Sequence, residues 1–207
     1  MHQVKEDVKM AKLQWKPGTL LAPAPPALVS CGTMEAHNVL TAAWTGIVCS
    51  EPPMTYVSIR PERYSHHMIL ERGEFVINLP TQAIVRATDL CGVKSGRDGD
   101  KFALAGLTAE PSALVAAPGI GECPVSLECR VREVLHLGSH DMFLSDIVAV
   151  DVDPGYVDEK GALHLEKAGL LAYAHGGYYG LGRQLGTFGF SVRKKPVRRG
   201  AKPAKRK

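Results

Sequence analysis

Two arginines and a serine stand close together where a strand-like segment turns into a helix. Arg60 and Arg63 follow a β-branched run, and Ser65 precedes the helical period of residues 66–72, in the position of a helix N-cap. The free N–H groups and the positive dipole end of a helix start bind dianions, and guanidinium groups donate hydrogen bonds in pairs. The segment therefore predicts a phosphate site, with a surface loop and an ordinary capped helix as the alternative.

Short strands must position these residues. Runs of β-branched and apolar residues, separated by turn residues, predict six strands. The predicted strands are residues 27–31, 42–49, 54–59, 74–79, 125–135 and 141–152. The last two are long enough to form a hairpin through residues 137–140.

Three short helices are predicted between the strands. The first spans residues 65–72 and the second residues 81–90. The third starts at Asp98 or Asp100 and ends at residue 105. Gly73 can close the first helix, Thr81 can cap the second, and Cys91-Gly92 can end it. The carboxylate of Asp98 or Asp100 suits the first turn of the third.

This order of elements predicts a mainly β fold. Antiparallel strands with short inserted helices fit a closed or partly closed β-barrel better than a βαβ repeat, and 207 residues are expected to form one domain. No Gly-x-Gly-x-x-Gly follows a strand, so a Rossmann nucleotide site is not supported. The glycine-rich run 176–182 lacks the Lys-Ser/Thr of a phosphate loop, and we expect a closely packed loop there.

Charge is divided unevenly along the chain, whose net charge is +4. Nine of the 25 basic residues lie between Arg193 and Lys207, without an acidic residue, so the rest of the chain holds 16 basic against 21 acidic residues. The basic tail, residues 196–207, is predicted to be disordered. An electrostatic contact with nucleic acid is the alternative, although no aromatic residue interleaves the charges for base stacking.

Composition excludes several classes of protein. Hydrophobic residues make up 45% of the chain and charged residues 22%, which is too apolar for intrinsic disorder. The N-terminus lacks the apolar run of a signal peptide, and no stretch is long enough for a spanning helix. We therefore expect a cytoplasmic protein without a membrane segment.

The five cysteines are scattered among apolar neighbours. None forms a Cys-x-x-Cys pair, and no His-x-x-x-His stands on a predicted helix. Buried, reduced thiols are expected, and no metal site is predicted.

Several segments match one known family in order and spacing. Asn38 to Trp44 and Ser58 to Ser65 resemble the Asn-x-x-Thr-x-Ala-Trp and Ser-x-Arg-Pro-x-Arg-x-Ser segments of the flavin reductase-like, FMN-binding split-barrel family, in particular its flavoredoxin-like branch. The match continues through residues 73–80, 94–102, 122–128, 138–141 and 178–186. The resemblance implies a split-barrel domain over residues 20–195, after a lead-in at 1–19 and before the tail at 196–207.

The same resemblance implies an FMN site. Asn38 and Thr41 would offer polar groups to the pyrimidine half of the isoalloxazine, and the small residues Ala42 and Ala43 would let backbone amides approach its edge. The predicted cofactor-binding residues are Asn38, Thr41, Ala42, Ala43, Trp44, Arg60, Arg63, Ser65, Asn78, Lys101 and Phe102. Three of them have structural alternatives: Trp44 as a core or dimer-interface residue, Asn78 as a polar strand end, and Lys101 on a solvated helix face.

The implied function is FMN-dependent oxidoreduction. NAD(P)H would reduce a flavin or another electron acceptor by hydride transfer to flavin N5, in a homodimer with the flavin near the subunit interface. An electron-acceptor protein or an oxygenase component is a possible partner. A non-enzymatic FMN electron carrier, or a module that contacts nucleic acid through its tail, remains the alternative. No catalytic residue is predicted, and of His66 and His67 one is expected to be buried and one exposed.

Overall fold

The computed structural model describes residues 12–193, so the predicted basic tail at 196–207 lies outside the described residues. Of the predicted lead-in, residues 12–19 are described and exposed. The strands are β1 Ala27–Gly32, β2 His37–Ala42, β3 Thr45–Ser50, β4 Pro53–Ile59, β5 Glu74–Asn78, β6 Ala109–Glu110, β7 Gly119–Ile120, β8 Val125–His136, β9 Asp141–Val152, β10 Leu171–Ala174 and β11 Gly177–Gly180. The α-helices are α1 Tyr64–Arg72, α2 Val85–Val93 and α3 Lys101–Ala105, and 3₁₀ turns cover Gln82–Ile84, Gly96–Asp98, Pro154–Tyr156, Leu165–Lys167 and Phe190–Val192.

Seven strands form one antiparallel sheet in the order β2-β1-β5-β8-β9-β4-β3. Its edge strands, β2 and β3, are consecutive in the chain and are separated only by Ala43 and Trp44. Two residues cannot cross a flat sheet whose neighbouring strands lie about 4.8 Å apart, so the sheet curls until its edges meet. Accordingly β2 contacts β4, and the amide of Ser58 donates to the carbonyl of Trp44 across 2.8 Å. The predicted mainly β, barrel-like fold class is confirmed.

Curvature of the sheet comes partly from its two longest strands. β8 and β9 pair over their full length, and their register shifts at Glu128/Cys129 and again at Val131/Glu133. Each shift is a β-bulge, which bends a strand and increases its twist. The predicted hairpin at residues 137–140 connects them, closed by a 3.0 Å hydrogen bond from the Leu137 amide to the His140 carbonyl.

Apolar side chains pack on both faces of the sheet. One cluster fills the barrel interior, and its large members include Val29, Phe75 and Phe143. A second cluster lies between the outer face and helices α2 and α3, and it contains Leu28 and Phe102. Because both of its faces are covered, β1 is buried along its whole length, as a central strand between two layers must be.

The predicted strand over residues 42–49 is wrong in its boundaries. Ala42 ends β2, the chain bends at Ala43 and Trp44, and β3 begins at Thr45. The hydroxyl of Thr45 donates to the carbonyl of Tyr56 across 2.6 Å, which fixes the start of β3 against β4. The apolar run continues across the bend although Ala42 is buried before it and Ile47 and Val48 are exposed after it.

Two of the predicted helix starts also differ from the structure. Helix α1 begins at Tyr64, so that Arg63 occupies the N-cap without a side-chain hydrogen bond and Ser65 lies inside the first turn. Thr81 makes no side-chain cap either, because a 3₁₀ turn precedes α2 and Thr81 pairs with Leu170 in a β-bridge. The predicted stop at Cys91-Gly92 comes early, since α2 continues to Val93.

The other helix boundaries agree with the sequence. Gly73 closes α1 in the left-handed conformation, with φ of 69°, which glycine adopts without steric cost. Asp100 caps α3, accepting from the amides of Phe102 at 2.9 Å and Ala103 at 3.3 Å. Of the two predicted starts for this helix, Asp100 is confirmed, and Asp98 belongs to the preceding 3₁₀ turn.

All five cysteines are free thiols, and four of them are buried, namely Cys31, Cys91, Cys123 and Cys129. Cys49, on the edge strand β3, is half-buried, which departs from the prediction for that residue. Burial raises the pKa of the Cys31 and Cys91 thiols to about 11. Within residues 12–193, no group of three or more His, Cys, Asp or Glu side chains is arranged to hold a metal ion. None of the helices in the same range is long and apolar enough to cross a membrane.

A fully buried carboxylate holds the loop that precedes β7. Glu128, in β8, accepts from the amides of Ala113 at 2.6 Å, Leu114 at 2.6 Å and Val115 at 3.0 Å. Three backbone donors suit an ionised carboxylate, which only accepts hydrogen bonds. The side chain therefore joins this loop to the central sheet.

Replacing Glu128 with glutamine is expected to destabilise the fold by about 2 kcal/mol, because the new amide NH₂ faces backbone donors and the charge-assisted hydrogen bonds are lost. Urea unfolding of the purified variant measures the loss. Glu133→Gln is the matched control, since Glu133 lies on the same strand but is exposed, and it should change stability by less than about 0.5 kcal/mol. Equal unfolding midpoints for the two variants would contradict the role of Glu128.

Candidate functional site

A cavity of about 400 Å³ opens at the place where the edges of the sheet meet. We name it the seam cavity. One wall is the bend at Ala43 and Trp44, with Arg60 at the end of β4 beside it. The opposite wall comes from α2 and from the β10–β11 hairpin, through Tyr173 and Tyr178. Closure of the barrel thus creates the cavity and places the predicted residues 41–44 on its surface.

A second cavity of about 320 Å³ adjoins the first and shares Leu40, Arg60 and Arg63 with it. We name it the cationic cavity, because five basic side chains and one carboxylate line it. The basic residues are Arg60, Arg63, Lys94, Arg97 and Lys101, and the carboxylate is that of Glu62. Asn38 and Ser65 complete its floor. The structure therefore brings together the predicted residues of β2, the β4–α1 loop and α3.

The first turn of α1 faces the cationic cavity through Tyr64 and Ser65. The side chain of Arg63, at the N-cap, cannot accept a hydrogen bond, so the amides of Tyr64 and Ser65 keep their donor capacity, whereas the amide of His66 donates to the Arg63 carbonyl across 3.0 Å. The side-chain amide of Asn38 donates to the Ser65 hydroxyl oxygen across 2.6 Å. This bond occupies an acceptor position of Ser65 and leaves its hydroxyl hydrogen available to another acceptor.

Lys101 is a buried cation in the wall of the cationic cavity. Lys101 is only 3% exposed. Its ammonium donates one hydrogen bond, of 2.7 Å, to the Cys91 carbonyl. An ammonium group has three donors. Burial lowers the pKa of Lys101 below its ordinary value, and the nearby charge of Arg63 lowers it further. The charged form is therefore short of partners inside the protein, and an anion in the cavity would supply them.

The two predicted arginines are held differently. Arg63 donates from Nη1 to the Gly92 carbonyl at the end of α2, across 3.1 Å. Arg60 is exposed and lies 3.5 Å from the carboxylate of Glu62, a pair that solvent screens. Arg63 is thus fixed between α1 and α2, whereas Arg60 is free to change its partner.

Aromatic side chains border the seam cavity. The rings of Trp44 and His140 are stacked with centroids 6.4 Å apart, and those of Tyr173 and Tyr178 lie 5.4 Å apart. Burial raises the pKa of Tyr178, and the charge of Asp89 adds to the effect. These flat walls suit a planar ligand. Thr41 also lines the cavity, but its hydroxyl already donates to the Thr88 carbonyl in α2.

Two predicted site residues line neither of the cavities. Asn78 is fully buried, and its amide bonds to Leu28, Ser30, Ile120 and Ser126 inside the protein. Phe102 packs in the outer core cluster, with its ring edge-on to that of His37 at 4.5 Å. Asn78 joins strands at the sheet's centre, and Phe102 anchors α3 so that Lys101 reaches the cavity.

Of the two neighbouring histidines on α1, His66 is buried and His67 is exposed, as expected. His66 shares a 2.8 Å hydrogen bond with Asp141, which also bonds to His136 at 2.8 Å. The hydrogen bonds from His136 and His66 lower the pKa of Asp141. His66 therefore ties α1 to the β8–β9 hairpin and does not line either cavity.

Site reasoning from the sequence did not assign several residues that line the cavities, among them Lys94, Arg97, Tyr173 and His140. Lys94 and Arg97 stand in a segment that the family resemblance included, and two cations beside a glycine are a signal for an anion site. His140 also stands in a matched segment, residues 138–141, whereas no comparable signal marks Tyr173, because its approach to the cavity depends on the barrel closing.

The sequence matches the family model described as a flavin reductase like domain over residues 20–182. Among solved structures, the flavoredoxin of Desulfovibrio vulgaris (Miyazaki F) is 34% identical, with a TM-score of 0.81, and the match covers 88% of this chain and 100% of that one. An FMN-binding protein from Thermus thermophilus is 28% identical, with a TM-score of 0.68 and coverage of 83% and 94%.

A third structure bears on the fold alone. It is a protein of Shewanella frigidimarina with a split barrel domain, 23% identical, with a TM-score of 0.71 and coverage of 79% of this chain and 84% of that one. These similarities confirm the split-barrel architecture predicted from the sequence. Because the family model spans most of the sequence, the chain belongs to the flavin reductase-like family of split-barrel proteins.

Proposed function

We propose that the protein is an FMN-binding oxidoreductase that holds the FMN phosphate in the cationic cavity and the flavin ring in the seam cavity. The observation that carries the proposal is Lys101, a buried ammonium with a single hydrogen bond to a backbone carbonyl. A buried charge normally has a partner. The phosphate of FMN would be that partner.

The donors around the cationic cavity fit a phosphate monoester. A phosphate dianion has three terminal oxygens that accept strong hydrogen bonds. The donors come from two separate parts of the chain: Arg63, the Ser65 hydroxyl and the first amides of α1 from residues 63–65, and the ammonium of Lys101 from α3. Such a set combines charge with the direction of a helix start, the arrangement that phosphate groups commonly use.

The seam cavity fits the planar part of the same ligand. It begins where the cationic cavity ends, at Arg60 and Arg63, so one molecule can occupy both. Ala42 and Ala43 present backbone at the barrel edge without bulky side chains, while Trp44 and His140 form a flat wall. The relation to the FMN-binding protein of Thermus thermophilus supports FMN as the occupant.

The proposed reaction is NAD(P)H-dependent reduction of flavin or of another electron acceptor. Bound flavin supplies the redox chemistry, since its N5 accepts hydride. The chain contributes position and surroundings: cations hold the phosphate end, and the walls formed by Trp44, Tyr173 and Tyr178 exclude water from the ring.

A non-enzymatic FMN electron carrier is the second candidate function. The observation in its favour is the 34% identity to flavoredoxin over the whole length of that protein. In this case the flavin would stay bound, and a protein donor would reduce it.

A homodimer is part of the proposal. Trp44, Ile47 and Val48 are 42%, 64% and 49% exposed at the edge strand beside the seam cavity. A second copy of the chain would cover this apolar edge, which a lone sheet leaves unpaired.

Anaerobic reduction separates the two candidate functions. Adding NADH or NADPH to the FMN-loaded protein is expected to bleach the flavin absorbance within the time of a turnover assay. Bleaching by dithionite or a protein donor alone would select the carrier. A protein that binds no FMN in calorimetry would refute both candidates.

Arg63→Ala should weaken FMN binding about tenfold or more, because a charge-assisted hydrogen bond contributes roughly 1.5–3 kcal/mol. Riboflavin, which lacks the phosphate, should bind the variant and the unaltered protein equally. Arg72→Ala is the matched control, since Arg72 is exposed at the other end of α1. Fluorescence titration gives the affinities, and an equal loss for riboflavin would show that Arg63 acts on the ring or on folding instead.

The affinity for FMN should fall as pH rises. The fall should begin at a lower pH than it would if Lys101 had the pKa of an ordinary lysine. Burial lowers the pKa of Lys101 below 10.5, so the ammonium loses its charge, and with it the attraction for phosphate, earlier in an alkaline titration. FMN affinities between about pH 7 and 10 measure the effect, with riboflavin as the reference for titration of the flavin ring. Lys101→Arg should flatten the profile, because guanidinium stays charged; unchanged profiles would contradict the assignment.

A further inference from the structure

A third cavity, of about 400 Å³, adjoins the seam cavity. We name it the arm cavity, because five of its nine lining residues belong to the arm of residues 19–24 that precedes β1. It shares Trp44, Tyr173 and Gly176 with the seam cavity and no residue with the cationic cavity. The seam cavity therefore connects the other two, and the arm cavity has no wall in common with the cations of the cationic cavity.

Two backbone hydrogen bonds fix the arm beside β10. The Ala24 amide donates to the Tyr173 carbonyl across 2.9 Å, and the Tyr173 amide donates to the Ala24 carbonyl across 2.8 Å. The pair is an antiparallel β-bridge, in which two residues exchange both hydrogen bonds. The bridge keeps the preceding residues 19–22 next to Trp44 and Tyr173, where they form one wall of the cavity.

The lining of the arm cavity differs from that of the cationic cavity. No Lys, Arg, Asp or Glu of residues 12–193 lines it. Leu20, Leu21 and Trp44 supply apolar surface, and the two leucines are 59% and 95% exposed. Apolar side chains left uncovered around a concave surface commonly mark a ligand site. The lining therefore favours an uncharged ligand with an apolar body over a ligand that carries phosphate.

Three polar side chains also line the arm cavity, those of Thr19, Tyr173 and His175. His175 stands in the turn between β10 and β11 with φ of 49°, and Gly176 follows it with φ of 86°. Two successive residues with positive φ are the pattern of a type I′ hairpin turn, and this turn holds the imidazole at the cavity. An imidazole has at least one N–H donor in either protonation state, so it can orient a ligand that has a carbonyl oxygen.

We propose that the arm cavity binds the electron acceptor, and that this acceptor is an uncharged aromatic molecule with a ring carbonyl, of the quinone class. The inference rests on the proposed function, which places the flavin ring in the seam cavity. Trp44 and Tyr173 line both cavities, and Gly176 puts no side chain between them, so the acceptor lies beside the flavin ring. A quinone becomes a hydroquinone by taking up two electrons and two protons, which a hydride from the reduced flavin and one proton from water supply.

The test compares two quinones that share a ring system and differ in charge, hydroxymethyl anthraquinone and anthraquinone sulfonate. Calorimetry gives their affinities for the oxidised, FMN-loaded protein, so that no turnover is needed. The double variant Leu20→Glu/Leu21→Glu brings charge into the lining without altering the bridge at Ala24. Leu13→Glu/Leu185→Glu is the matched control, because it adds the same charge at two leucines that are both 85% exposed and lie outside the three cavities.

The unaltered protein should bind the uncharged quinone about tenfold more tightly than the sulfonate, since the described lining offers no lysine or arginine to an anion that loses its hydration. The double variant Leu20→Glu/Leu21→Glu should bind the uncharged quinone about tenfold more weakly than the unaltered protein, because two apolar contacts are lost. The control variant should change no affinity by more than about twofold. FMN should bind all three proteins equally, as its phosphate and ring lie in the other two cavities.

Equal affinities for the two quinones, or an unchanged quinone affinity in the double variant, would overturn the inference. Sedimentation velocity tests the competing occupant, a second copy of the chain. A change of oligomeric state in the double variant but not in the control assigns Leu20 and Leu21 to a contact between copies, which also overturns it. If the unaltered protein binds no FMN, the proposed function fails and the acceptor assignment fails with it, whereas normal FMN binding without the quinone differences refutes the inference alone.

Discussion

The two-residue connection between β2 and β3 is the constraint on which the site depends. These strands lie at opposite edges of the sheet order, yet only Ala43 and Trp44 separate them. The sheet must therefore close on itself, and the closure brings the end of β4 beside the end of β2. The seam cavity forms at that junction, and the chain continues from β4 directly into the β4–α1 loop, which carries Arg60 and Arg63, and then into α1. Barrel closure and assembly of the candidate ligand site are consequently one structural event.

In the cationic cavity the fold brings like charges close together, which is electrostatically unfavourable in the absence of a bound anion. Burial disfavours the ammonium form of Lys101, and the neighbouring charge of Arg63 disfavours it further. Other contacts nonetheless hold the donors of the cavity in place. Arg63 is hydrogen-bonded to the end of α2, Phe102 packs in the outer core cluster, and Ser65 is hydrogen-bonded to Asn38. A site prepared in this way needs little rearrangement when an anion arrives, because the donors are already oriented.

The sequence predicted the elements whose causes are local. Alternating apolar residues predicted the β8–β9 hairpin. Gly73 predicted the end of α1 and Asp100 the start of α3, and each of these boundaries depends on that one residue. Features that depend on distant neighbours were not predictable in this way. Ser65 is a good N-cap residue, but Asn38 binds its hydroxyl and the helix begins one residue earlier. Asn78 was predicted to bind the cofactor, with a polar strand end as the alternative, but its hydrogen-bond partners lie on β1, β7 and β8, strands that meet only in the folded sheet.

Charge also gives the combined site a direction. The cationic cavity lies at one end, Arg60 and Arg63 mark the boundary, and Asp89 lies in the wall of the seam cavity near Tyr178. A ligand with an anionic end and a neutral planar end is attracted to the first cavity and repelled from the carboxylate in the second. The reversed orientation would bury the planar part among cations and place the anion beside Asp89. One orientation is therefore strongly favoured, and it sets the planar part against the barrel edge, where Ala42 and Ala43 let the backbone approach it.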